Sequence, residues 1–241
     1  MLFWVARIAC FVVVLSGFAA RADDLADFNA ALESASSHNR VAIGYLRTGN
    51  ADLAALEIDR LRDSWTRLVE RFSGNRPKAF DNNQLYGKLF TVVSARLVGA
   101  DLMLKTGRLD AARNSLDAIR GDLYDLRKAS AIVVLADCVR DANAAMDALM
   151  AYDDRALDLN SAETRKDIGT KASGYGSTLG RCDGIANESV HKSPEFRRLV
   201  DGAQASLGLV SKAVETRDSD LLHRVLIELR SFDNLLAFRF G

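Results

Sequence analysis

Apolar residues recur along most of this chain at helical spacing, and three stretches repeat one another without gaps. The first runs from Thr48 to Leu68, the second from Thr106 to Leu126 and the third from Thr216 to Leu236. Counting each threonine as zero, position +4 is Asp52, Asp110 and Asp220, and position +14 is Arg62, Arg120 and Arg230. Position +13 is Leu61, Ile119 and Leu229, and position +20 is always leucine. In the first copy Leu53, Leu56, Leu61, Trp65, Leu68 and Phe72 form one apolar stripe. Leu116, Ile119, Leu123 and Leu126 do so in the second, and Leu222, Val225, Leu229, Phe232 and Leu236 in the third. Such spacing predicts amphipathic helices.

The start of each copy predicts a turn between two helices. Gly49 and Gly107 suit the left-handed conformation that ends a helix. Asn50 and Asp218 suit the N-cap of the next helix, and the +4 aspartate falls in its first turn, where the helix dipole favours an anion. The repeat threonines are 58 and 110 residues apart, so a unit of roughly 55 places a fourth turn near 158–161, where Ser161 precedes Glu163 as an N-cap. The pattern predicts an all-α protein of about eight helices in four degenerate αα-hairpins, at roughly 24–48, 51–73, 83–106, 109–128, 130–151, 162–186, 194–215 and 219–239. Pro77 and Pro194 mark helix boundaries.

Between Leu126 and Ile132 neither Gly nor Pro interrupts the stripe. One continuous helix over 109–150 would join two four-helix bundles as a shared spine; a kinked turn inside one compact eight-helix domain is the alternative. The favoured arrangement is two tandem four-helix bundles, 23–128 and 129–241, after an N-terminal address at 1–22. That address reads as a signal peptide: Arg7 supplies a cationic flank, Ile8 to Phe18 an apolar stretch, and Ala20-Arg21-Ala22 a small-residue cleavage site. The uncharged run between Arg7 and Arg21 is 13 residues, short of the roughly 20 that span a bilayer. A periplasmic or secreted protein without stable membrane insertion is expected.

Composition adds exclusions. The chain has 241 residues, 49% of them hydrophobic, with 32 basic and 32 acidic side chains. Loss of Arg7 and Arg21 with the leader leaves 30 against 32, a mature charge of −2. No basic field points to nucleic acid. Cleavage also removes Cys10, so Cys138 and Cys182 remain as an expected disulfide in an oxidising compartment.

Catalytic chemistry finds few handles. His38, His191 and His223 are the only histidines, and no local base–nucleophile pairing or G-x-S-x-G elbow accompanies them. Covalent haem is excluded by the lack of C-x-x-C-H, and no metal-ligand spacing occurs. Asp153, Asp154, Asp158, Asn160 and Glu163 gather oxygens without the glycine of a calcium loop, which predicts a solvated loop. In α-helical register, Gly169, Ser173, Gly176, Gly180 and Gly184 form one narrow face, expected to let another helix approach closely, with a flexible or partly unwound ligand-facing segment as the competing expectation. The repeat arginines flank the stripe as solvated charge.

Two resemblances accompany these readings. Ala42-x-x-Tyr45-Leu-Arg-Thr-Gly49-x-x-Asp52-x-Ala54 resembles the inter-helix turn of tetratricopeptide-type repeats, and Ala100 to Ala111 does so more weakly. In size and four-helix grouping the chain is similar to exported bundles of the cytochrome c-prime and b562 type, without their haem-attachment motif. The expected function is non-catalytic: an exported helical protein, without cofactor, binding a partner protein or small ligand. The competing expectation is a haem- or metal-carrying bundle drawing on His38, His223, Met103 and Met146.

Overall fold

The repeated threonine turns are the same structure three times. In each, two backbone bonds close the helix end. The amide of Asn50 donates to the Tyr45 carbonyl, that of Arg108 to Met103, and that of Asp218 to Ala213, while the residue before each donates to Leu46, Leu104 or Val214. These are Schellman closures, and the residue they turn on is left-handed: Gly49 at φ +75°, Gly107 at +73° and Arg217 at +56°. Each threonine hydroxyl donates back to a carbonyl one turn earlier, at Gly44, Leu102 and Lys212. On the far side Asn50 and Asp218 accept the amides of Leu53 and Leu221, as expected of N-caps, whereas Arg108 makes no such bond.

The computed structural model describes residues 16–241 except 154–156, with side chains from residue 24. The first part of the expected leader, residues 1–15, therefore lies outside the described residues. The described chain is all-helical: α1 Ser16–Arg47, α2 Ala51–Phe72, a 3-10 turn Lys78–Phe80, α3 Gln84–Lys105, α4 Leu109–Ala129, α5 Leu135–Met150, α6 Ala162–Ile185, the single turn α7 Glu188–His191, α8 Pro194–Thr216 and α9 Ser219–Phe240. Ser161 caps α6 and Ser193 caps α8 ahead of Pro194. No described helix is long and apolar enough to cross a membrane.

The chain divides into two units, one ending at Ser130 and the other running Ala131–Gly241. In the first, α1 packs on α2 and α4, and α3 packs on the same two, which closes a four-helix ring. Position +20 of the repeat, Leu68 and Leu126, and position +13, Leu61 and Ile119, are buried inside it. Its closed end is aromatic. Phe80, delivered by the 3-10 turn, meets Phe28 at 5.2 Å and Tyr86 at 5.1 Å between ring centroids. The Tyr86 hydroxyl donates to the Phe72 carbonyl at 2.8 Å, and burial pushes it up to about 12.

In the second unit, α5 packs on α6 and α9, and α8 packs on the same two. Phe196, Leu199, Leu226 and Leu229 fill this ring together with Met146 and Tyr175. Close approach of α8 and α9 depends on Gly202: a Cβ there would sit 2.7 Å from the Phe232 ring.

Helix α4 does not continue into α5, so the single helix over 109–150 is excluded. Ser130 closes α4, Ala131 turns left-handed at φ +53°, and Val134 is extended ahead of α5. The stop comes from tertiary structure. Asn83, the N-cap of α3, donates its amide to the Leu126 carbonyl at 2.8 Å and to the Ser130 hydroxyl at 2.6 Å. Those two bonds hold the helix end in place without Gly or Pro.

Candidate functional site

Polar side chains are assembled mainly along the seams between helices, and most of those expected to carry chemistry are engaged there. His38 of α1 bonds through Nδ1 to Glu57 of α2 at 2.7 Å, and Arg60 holds the other Glu57 oxygen at 2.6 Å. His223 of α9 pairs with Asp153, after α5. His191 contacts Asp183 at 3.3 Å, a carboxylate also gripped by Arg197. Met146 is fully buried in the second core, while Met103 lies half-buried near the end of α3. Among the described residues, no group of three or more His, Cys, Asp and Glu side chains is placed to hold a metal ion. Within the acidic loop, Asp158 accepts the Asn160 amide at 2.8 Å; Asp154 lies outside the described residues.

The repeat arginines brace their own chain. Arg62 pairs with Asp59 at 3.0 Å and reaches Asp101 of α3 at 3.6 Å. Arg120 pairs with Asp117 at 3.2 Å, and Arg230 with Asp147 of α5 at 2.6 Å. Position +14 places each arginine beside the stripe, where its stem covers apolar surface and its head finds a carboxylate. Cys138 of α5 and Cys182 of α6 form a disulfide, with Cα atoms 5.4 Å apart.

The small-residue face of α6 departs from expectation. Gly169, Ser173, Gly180 and Gly184 are exposed, and a Cβ at any of those glycines would meet nothing. Only Gly176 receives a neighbour, Leu207 of α8, at 3.1 Å from its virtual Cβ. The first half of the face, Gly169, Ser173 and Gly176, lines an open groove of about 470 Å³ between α6 and α8, which Gly208, Ser211 and Gln204 line from the α8 side. Glycine leaves the helix backbone accessible here, and Gln204 donates to the Gly176 carbonyl at 3.0 Å. The seam runs outward because the inward face of α6 is taken by Ile168, Ala172, Tyr175, Leu179 and Cys182.

A second cluster was not anticipated from the pattern. Asp233 of α9 is buried, with Asn143 of α5 donating to it at 2.8 Å and Arg230 at 3.2 Å. Tyr175 of α6 brings a fully buried hydroxyl that makes no hydrogen bond. Burial raises that hydroxyl's pKa well above the ordinary tyrosine value, and the charge of Asp233 raises it further. The signal was present in the repeat register: position +17 is Trp65, Leu123 and then Asp233.

Fold and site together define an all-α protein of two four-helix units, the second stapled by a disulfide and carrying both the groove and the buried carboxylate. No protein-family model, curated protein or solved structure matches the chain.

Proposed function

We propose that this chain is an exported, non-catalytic helical protein that binds a partner protein in the periplasm, with the α6–α8 groove as the contact surface. The observation that carries this reading is the groove floor. An outward glycine costs a helix roughly 1 kcal/mol relative to alanine, and in the groove Gly169 of α6 and Gly208 of α8 bear that cost with no neighbour of their own chain. A partner backbone laid along the groove gains close approach at those positions, and Ser173, Ser177, Gln204 and Ser211 offer it hydrogen bonds. An open groove of this size suits a segment of protein better than an enclosed small molecule. Export rests on the cationic flank, apolar run and cleavage site of residues 1–22, and the disulfide agrees with an oxidising compartment.

The test is a photo-crosslinking residue at Ser173, in the groove, and at Thr66, on the exposed face of α2, in the exported protein. A discrete adduct at Ser173 that disappears when Gly169→Leu and Gly208→Leu fill the groove is expected. The same adducts at Thr66, or none at Ser173, would contradict the reading. Mass of the exported chain checks cleavage, with a start at Asp23 expected.

A further inference from the structure

One repeat position in the second unit holds a charge where its counterparts hold apolar bulk. Trp65 and Leu123 fill position +17 in α2 and α4, and Asp233 fills it in α9 at 1% exposure. A carboxylate removed from water is costly unless its oxygens are fully met by donors. Here the donors are few. Asn143 supplies one neutral N–H to Oδ1 from α5. Arg230, one turn earlier on α9, divides itself, giving Nη1 to Asp233 and Nη2 to Asp147 at the rim. Tyr175 faces the group from α6, its hydroxyl near enough to interact with the carboxylate but outside the geometry of a formed hydrogen bond. The charges acting on it come from Arg230 of its own helix and Asp147 of α5.

We propose that Asp233 is a pH-responsive tie between α5, α6 and α9, neutral and settled when protonated, and loosening the second unit when ionised. Uptake of one proton from solvent removes the buried charge and creates an O–H that the Tyr175 hydroxyl oxygen can accept. It leaves Asn143 a carbonyl-type oxygen to donate to, and it frees Arg230 to serve Asp147. Burial holds the carboxyl up at about 6; Asn143 and Arg230 pull it down and Asp147 pushes it up, each more weakly than burial. The transition therefore falls in weakly acidic solution. The tie stands whether or not the groove binds a partner.

The test is the titration of the assigned Asp233 carboxyl carbon by NMR in the whole protein, with amide exchange followed in parallel. A midpoint near 6 is expected. The slowest amides of α6 and α9, corrected for intrinsic rate, lose roughly thirtyfold in protection between about pH 4.5 and 7.5. Asp233→Asn abolishes that slope, and the α2 and α4 amides serve as controls. Asn143→Ala, which removes a donor to the ionised form, moves the midpoint upward. A midpoint in the usual carboxylate range, or an equal loss of protection in Asp233→Asn, would overturn the proposal.

Discussion

Arg217 occupies a backbone conformation that its two counterparts assign to glycine, and this supports a prediction of opposite signs at homologous turns. Its φ of +56° matches Gly49 and Gly107 in role, but a side chain in the left-handed region costs roughly 1–2 kcal/mol. Glycine avoids that cost and gives back roughly 0.5–1 kcal/mol through greater freedom of the unfolded chain. Arg217→Gly is thus expected to stabilise the second unit by about 1 kcal/mol. The side-chain contact it loses, to Asn160 at 3.4 Å on the surface, is too long to offset this. Gly107→Ala is expected to destabilise the first unit by a similar amount. Urea denaturation of the chain from Asp23 onward reads both, because Trp65 is then the one tryptophan and reports the first unit, while helical circular dichroism reports both. With a slope of about 2 kcal/mol per molar urea, each change moves a midpoint by roughly 0.5 M. A lowered midpoint in Arg217→Gly, or an unchanged one in Gly107→Ala, would contradict a left-handed requirement at these turns.

Four further outcomes follow from particular contacts. Gly202→Ala gains helix propensity but drives a methyl into the Phe232 ring, so a net loss of about 1–2 kcal/mol is expected, relieved by Phe232→Leu; Gly180→Ala, which meets nothing, is stabilising by up to about 1 kcal/mol. Reducing the Cys138–Cys182 bond opens a 44-residue loop and costs about 4 kcal/mol by chain entropy, read as the urea midpoint with and without reductant. Asp233 has a folded pKa of about 6 against an ordinary 3.8. Its contribution is fully present below the unfolded value and is lost as pH rises through 6, up to about 3 kcal/mol. Denaturation midpoints in Asp233→Asn should lack that dependence.

Helix positions and caps were legible because they are local. The threonine–glycine turns, the Asn50, Ser161 and Asp218 caps and the buried +13 and +20 residues follow from spacing alone. The end of α4 was ambiguous because Asn83, 43 residues before Leu126, makes the decisive bonds. The α6 glycines were legible as one face, but its direction depends on which side the Tyr175, Leu179 and Cys182 stripe turns inward. Gly202 carries no signal in the spacing because its partner, Phe232, lies on another helix. Asp233 was visible only as a break in the repeat register, and its meaning required Asn143 and Tyr175 from two other helices. Pairwise tertiary contacts of this kind leave no period in a single sequence.

The repeated hairpin builds two units, each closing a ring of four helices around its own core. The direct measurement is the folding of residues 131–241 expressed alone under oxidising conditions. A dispersed amide NMR spectrum and one cooperative urea transition are predicted. A collapsed spectrum with no cooperative transition, despite an intact Cys138–Cys182 bond, would contradict it.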